Sequence, residues 1–168
     1  MRFKKTCFFL VVTVITFLYA AGCVTASSES QIYFVKRIID GDTIELTNRK
    51  LVRYIGIDTP EIRRRSGYGV WRYEPEAYSL DAKKLNSTLV AGKKVQLEFD
   101  VQKYDKYDRW LAYVYVGDKM INEELLRQGY AKVLTIPPNT KYRERLKKAE
   151  ESAKENKQGL WRDRQSIR

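Results

Sequence analysis

The sequence contains no histidine at all. That removes Ser-His-Asp and Cys-His catalysis, histidine-bound zinc, and the commonest general base near neutral pH. Acid–base chemistry therefore falls to carboxylates, tyrosines or lysines. Cysteine is nearly as scarce, with Cys7 and Cys23 both lying ahead of residue 31. The chain from 31 to 168 has no disulfide to form, so its stability rests on its core and on what it binds. Acidic side chains are also outnumbered, 21 Asp and Glu against 32 Lys and Arg, for a net charge of +11.

The long apolar run, residues 7–21, carries no charge and is short for a membrane-spanning helix. It follows the basic Met1-Arg2-Phe3-Lys4-Lys5, and these are the flanks of a secretory signal. Its end, Leu18-Tyr19-Ala20-Ala21-Gly22-Cys23, resembles a bacterial lipoprotein lipobox. The resemblance implies cleavage before Cys23, lipidation of that thiol, and an exported protein anchored in the cell envelope. An ordinary signal peptide, which would release a secreted protein, and an uncleaved anchor are the alternatives. The expected organisation is a signal peptide over 1–22, the lipidated Cys23 and a small polar tether over 23–30, and one domain over 31–168. Loss of Arg2, Lys4 and Lys5 leaves 29 basic and 21 acidic side chains, a net charge of +8. A basic surface rich in tyrosine favours polyanions through counterion release and aromatic platforms for bases. It favours an anionic membrane equally well, so charge alone does not choose.

Two stretches carry the chemistry. Asp40-Gly41-Asp42-Thr43 and Arg53-Tyr54-Ile55-Gly56-Ile57-Asp58-Thr59-Pro60-Glu61 supply four carboxylates and a guanidinium beside apolar, strand-like sequence. Carboxylates in such places are costly unless they find a cation or donors. Oxygen ligands suit a hard divalent cation such as Ca²⁺ or Mg²⁺, and an arginine beside it can take a phosphate bidentately. Metal, water-handling carboxylate and arginine together indicate phosphodiester hydrolysis. Taken singly, Asp-Gly between apolar runs is a hairpin turn and Asp-Thr-Pro a turn opener. It is their combination with a second arginine, Arg109, that outweighs those plainer readings.

The pattern of the rest predicts strands over 32–39, 43–47 and 51–57, forming a meander. Arg53 and Asp58 have opposite parity, so a regular strand would point them to opposite faces, and a bulge or bend near Gly56 is expected to reconcile them. Residues 62–73 read as a loop whose Arg63, Arg64 and Arg65, with interleaved aromatics, form either a nucleic-acid grip or a solvated surface. Pro75 is expected in the first turn of a helix whose apolar face is Tyr78, Ala82, Leu85 and Leu89, ended by Gly92. Two further strands are expected over 94–101 and 109–116. Asn122 is expected to cap a short helix stopped by Gly129, and a last helix from about Thr140 to bury Tyr142, Leu146, Ala149 and Ala153. Trp161 is expected to plug the core. The fold class is therefore α+β, mainly β: a five-stranded OB-fold-type barrel with three α-helices.

With these residues in view, the chain resembles the staphylococcal nuclease (thermonuclease) family. The likeness lies in Ile38-Ile39-Asp40-Gly41-Asp42-Thr43, Arg53 with Ile57-Asp58-Thr59-Pro60-Glu61, Asp105-Lys106-Tyr107-Asp108-Arg109 with Leu111-Ala112-Tyr113, and Asn122-Glu123 with Arg127-Gln128-Gly129. It implies a Ca²⁺-dependent phosphodiesterase acting on DNA and RNA and leaving 3′-phosphates, working as a monomer. A catalytically idle nucleic-acid-binding barrel is the alternative. By the same resemblance, Asp42 and Asp58 bind Ca²⁺ through their carboxylates and Thr59 through its carbonyl, and Asp40 supports the site from further out. Glu61 orients or deprotonates the attacking water, Arg53 and Arg109 hold the scissile phosphate, and Lys106 and Tyr107 contact the terminal phosphate and sugar. Two departures stand out. Asp108 occupies a position where the family often has glycine, placing an extra negative charge beside Arg109. Leu134-Thr135-Ile136-Pro137 lacks the tyrosines that pack against a base, for which Tyr68, Tyr104 or Tyr107 are the possible substitutes.

Overall fold

The computed structural model describes residues 31–65 and 69–162. The expected signal peptide, Cys23 and the tether lie outside them, as does Tyr68. In chain order the strands are β1 (Gln31–Ile38), β2 (Thr43–Leu46), β3 (Leu51–Tyr54), β4 (Ile57–Asp58), β5 (Arg63–Arg65) and β6 (Trp71–Tyr73), followed by helix α1 (Ser79–Val90). Then come β7 (Lys94–Glu98), β8 (Trp110–Val116), β9 (Lys119–Met120), α2 (Ile121–Arg127), β10 (Lys132–Val133), α3 (Arg143–Glu155) and a 3-10 turn, Gly159–Trp161.

β1, β2 and β3 form the expected antiparallel meander, with Ile38 opposite Ile44 and Ile44 opposite Val52. β7 adds to the other edge of β1, and β8 pairs with β7. β8 then runs parallel to β3, Val52 opposite Trp110 and Tyr54 opposite Ala112, which closes a five-stranded barrel. Closure removes the sheet edges and lets alternate side chains fill the interior. Ile44, Val52, Val95, Ala112 and Val114 are fully buried there. Leu125 and Leu126 of α2 and Leu146 of α3 bury themselves against this core, and Ala149 and Ala153 continue the same face of α3. Trp161 is buried as expected.

The chain breaks between β3 and β4 at Ile55-Gly56, where Gly56 takes a left-handed φ of 80°. A Cβ on Gly56 would lie 2.4 Å from Leu146 Cδ1, so both backbone and packing demand glycine. That break is the bend expected between Arg53 and Asp58.

Several expectations are corrected. Residues 62–73 are not simply a loop, because β5 and β6 pair as a hairpin with Arg63 opposite Tyr73. Pro75 precedes the first helix rather than opening it. Tyr78, at a left-handed φ of 66°, is the residue before Ser79 and no part of the helical face. α3 begins at Arg143, with Tyr142 just outside it and stacked edge-on against Tyr113 at a centroid distance of 4.7 Å.

Asn122 is the most informative correction. It makes no cap hydrogen bond. Fully buried, its Oδ1 accepts the Val114 N–H at 2.9 Å and its Nδ2 donates to the Ile55 carbonyl at 2.8 Å. A side-chain amide in α2 thus ties the end of β3 to β8, satisfying backbone groups that the barrel's closing strands leave over. Asn122→Ala strands a buried N–H and a buried carbonyl and is expected to cost about 2–4 kcal/mol. Urea unfolding checks this through a lower midpoint at unchanged slope.

Candidate active site

The turn from β1 into β2 is closed by backbone. Ile39 N–H donates to the Thr43 carbonyl at 2.9 Å, and Tyr54 N–H donates to the Asp42 carbonyl at 2.9 Å. Gly41 is pressed against the neighbouring segment, where a Cβ would lie 2.6 Å from Thr59 Oγ1 and 2.8 Å from Ala82 Cβ. That close approach brings the two acidic stretches together.

Asp42 is wholly buried. Its Oδ2 accepts the Thr59 N–H at 2.9 Å and the Thr59 hydroxyl at 3.1 Å, and its Oδ1 accepts the Thr43 hydroxyl at 3.2 Å. The same Oδ1 is ion-paired with Arg53 Nη1. Arg53 Nη2 meets Asp58 Oδ1 at 2.6 Å and the Ile57 carbonyl at 3.4 Å. One guanidinium therefore bridges the buried Asp42 and the half-exposed Asp58. Asp40 stands behind them, its Oδ1 accepting the Asp42 N–H at 3.1 Å and its carbonyl accepting from Asn86 Nδ2 at 3.2 Å. Asn86 in turn accepts the buried Tyr54 hydroxyl at 2.9 Å.

Burial raises the Asp40 carboxyl above its usual range, and Arg53, the Thr43 hydroxyl and Arg109 oppose that rise. Glu61 sits at the solvent edge of the site. Loss of water around its carboxyl raises its pKa first, and the charges of Asp40, Asp58 and Glu76 add to that, against the pull of Arg53. The backbone of Glu61 is held from both sides by one residue. Its N–H donates to Glu76 Oε2 at 3.2 Å, and its carbonyl accepts the Glu76 N–H at 2.9 Å.

The second arginine comes from the connector between β7 and β8. Arg109 Nε donates to Asp105 Oδ2 at 2.7 Å, and its backbone N–H to Asp105 Oδ1 at 3.0 Å. Burial pushes the Asp105 carboxyl up, but these bonds and one from the Tyr107 N–H outweigh it and hold the carboxyl below its usual value. Asp105 belonged to the sequence motif without an assigned role, and its task is to aim Arg109. Arg53, Arg109, Lys106 and Tyr107 share one groove of about 520 Å³, whose far wall includes Leu134 and Ile136. Aliphatic side chains thus occupy that wall. Of the tyrosines considered as substitutes, Tyr107 lines the groove, 65% exposed, whereas Tyr104 is not among its lining residues.

Sequence reasoning missed Thr43, Asn86 and Glu76 as supports of the site. Thr43 adjoins an aspartate in a turn and was open to detection as a local donor. Asn86 and Glu76 act across the fold and carry no local signal.

The concern over Asp108 dissolves. Its φ of 60° is the left-handed value that glycine would supply, and its carboxylate reaches Lys50 Nζ at 3.5 Å from a largely exposed position. Exposed pairs of this kind contribute little, while the left-handed backbone penalises a Cβ. Asp108→Gly is expected to raise stability by at most about 1 kcal/mol. Activity should stay within two-fold of the parent, roughly the effect of a change of about 0.4 kcal/mol, in a side-by-side melt and rate assay.

The oxygen donors here are the Asp42 and Asp58 carboxylates around Arg53, with Asp40 behind Asp42 and the Thr59 carbonyl next along the chain from Asp58. In kind they fit a hard divalent cation and suit neither zinc nor a soft metal. Among the described residues, no group of three acidic side chains converges closely enough to hold a metal by carboxylates alone. A cation here would rest on two carboxylates, a backbone carbonyl and water, with Arg53 turned towards a phosphate.

Comparison with known proteins gives a consistent picture. The family model described as staphylococcal nuclease homologue matches residues 51–163, starting at the first residue of β3. The chain is 45% identical over 130 residues to the SPbeta prophage-derived endonuclease YokF of Bacillus subtilis, covering 74% of this chain and 42% of that protein. It is 35% identical over 139 residues to the thermonuclease of Staphylococcus hyicus, covering 81% of this chain and 79% of that one. Endonuclease YncB of Bacillus subtilis is 42% identical over 130 residues, 74% of this chain and 59% of its own. The chain thus spans less than half the length of the prophage endonuclease and most of the thermonuclease.

Proposed function

The chain belongs to the staphylococcal nuclease family, and from that premise we propose that it is a Ca²⁺-dependent nuclease hydrolysing phosphodiester bonds of DNA and RNA. The observation that carries this reading is the single guanidinium of Arg53 shared by Asp42 and Asp58, with Arg109 lining the same groove. Asp42, Asp58 and the Thr59 carbonyl would hold Ca²⁺, and Asp40 supports Asp42 through its backbone N–H. The bound cation supplies Lewis-acid polarisation of the phosphoryl oxygens.

The protein's own groups do the rest. Arg53 and Arg109 hold the non-bridging oxygens and meet the negative charge that grows there in the transition state. Arg109 is already ordered by Asp105, so it needs little reorganisation as charge develops, whereas Arg53 exchanges Asp42 and Asp58 for the phosphate when the cation takes those carboxylates. Glu61 accepts the proton of the attacking water, as no histidine is present to do so. Lys106 and Tyr107 contact the terminal phosphate and the sugar. Attack of the water oxygen at phosphorus breaks the P–O5′ bond, and the departing O5′ takes a proton from solvent, leaving a 3′-phosphate and a 5′-hydroxyl. Phosphatase treatment of digested, end-labelled DNA tests this. Fragments should become extendable by polymerase only after the 3′-phosphate is removed, and ends extendable without treatment would contradict the assignment.

In the same reading the protein is exported and held at the envelope through lipid on Cys23, where it works as a monomer. Metabolic labelling with a palmitate analogue, lost in Cys23→Ser, tests the anchor.

A further inference from the structure

Among the described residues, β5 and β6 pack chiefly against each other, which does not explain their composition. All three residues of β6 are exposed, Trp71 at 64% and Tyr73 at 66%. Large aromatic rings left this open are costly in water, and a two-stranded hairpin of three residues a side is marginal by itself. Arg63, also exposed, lies opposite Tyr73 in the register. Alternation along the strand places Trp71, Tyr73 and Arg63 on one face and Arg72 on the other.

The hairpin is also bolted to the site. β5 starts two residues after Glu61, and Glu74 N–H donates to the Ile62 carbonyl at 3.2 Å. The paired bonds between Glu76 and Glu61 fasten its foot to the candidate general base. A ligand lying on the hairpin would therefore lie beside the scissile phosphate.

We propose that the hairpin is a stacking arm for single-stranded nucleic acid, with Trp71 and Tyr73 each taking a base and Arg63, on the same face, a neighbouring phosphate. This rests on the nuclease reading of the site at its foot. Two residues along a strand separate the rings by about 6.6 Å. An extended, unstacked strand can match that spacing, whereas a duplex holds its bases about 3.4 Å apart. Stacking is tolerant of sequence, because every base presents a π face. The arm thus favours unpaired or locally opened strands without reading their bases.

The test uses the full chain carrying Glu61→Gln, in Ca²⁺, with a fluorescein-labelled oligothymidylate followed by anisotropy. Adding Trp71→Ala and Tyr73→Ala should weaken single-strand binding about ten-fold or more. Trp71→Phe with Tyr73→Phe should retain it, and duplex affinity should hardly change. Arg63→Ala should flatten the slope of log affinity against log salt by about 0.7, one phosphate contact, whereas Arg72→Ala, on the other face, should leave it unchanged. In the parent with Glu61, the alanine pair should leave hydrolysis of a thymidine nitrophenyl phosphodiester unchanged, since that substrate is too short to reach the arm.

Unchanged oligonucleotide affinity in the alanine pair overturns the proposal. So does loss of short-diester turnover alongside affinity, which would make the hairpin a mere prop for Glu61. Loss of binding to phosphatidylglycerol vesicles with oligonucleotide affinity intact would assign the face to a membrane instead. Failure of the unsubstituted chain to cut the short diester would count against the nuclease reading, while the anisotropy series still decides the arm.

Discussion

Glu61→Gln is expected to lower turnover by about 10²–10⁴-fold, the usual contribution of a positioned general base. The change keeps the size of the side chain and leaves its backbone clamp to Glu76 intact. It removes the ability to accept a proton, and with it one negative charge from a cluster that includes Asp40 and Asp58. Affinity for nucleic acid should therefore hold or improve slightly while the chemical step fails. Single-turnover kinetics on plasmid DNA, beside binding measured by anisotropy, separates the two. A fall in affinity with the chemical rate unchanged would assign Glu61 to substrate binding and move the proton to another group.

The second large effect is on stability as well as rate. Arg53→Ala takes the cation from Asp42, a carboxylate with no exposure to solvent. Breaking a buried pair by removing one partner costs about 3–5 kcal/mol. Three hydrogen bonds from Thr43 and Thr59 remain on Asp42 and soften that loss, so about 2–4 kcal/mol is expected in a chelator. Ca²⁺ should restore much of it. In the variant the carboxylates of Asp42 and Asp58 are open to the cation, and a ligand that binds only the folded state stabilises by mass action. The gain in melting temperature on adding Ca²⁺ should thus be larger in Arg53→Ala than in the parent. Activity should nevertheless stay low, because the phosphate has lost one of its two arginines. A variant as stable as its parent in chelator, and indifferent to Ca²⁺, would remove Asp42 from the metal site.

Much of the site was legible because its parts lie in short stretches with distinctive chemistry. Asp40, Asp42, Asp58, Thr59 and Arg53 were expected together, and the fold brings them together. The parity conflict between Arg53 and Asp58 called for a bulge or bend near Gly56, and the chain bends there. The barrel followed from turn signals and β-branched runs, and the closing β3–β8 pair completes it.

What stayed hidden depends on distance in the chain. Asn122 was read as a helix cap because local sequence offers Asn that role, but tertiary contacts override it and spend the amide on Ile55 and Val114. Asn86 and Glu76 reach the site across the fold. The β5–β6 hairpin has strands of three residues, too short for an alternation signal. Asp108 looked like a charge aimed at Arg109, whereas its backbone conformation turns it towards Lys50.

The measurement that tests the central claim most directly is cleavage of plasmid DNA by the full chain in Ca²⁺, in Mg²⁺ and in a Ca²⁺ chelator. The account predicts cutting in Ca²⁺ and none in the chelator. Retention of the DNA by the protein with no cutting in either metal would contradict it, and would leave a basic barrel that binds nucleic acid without hydrolysing it.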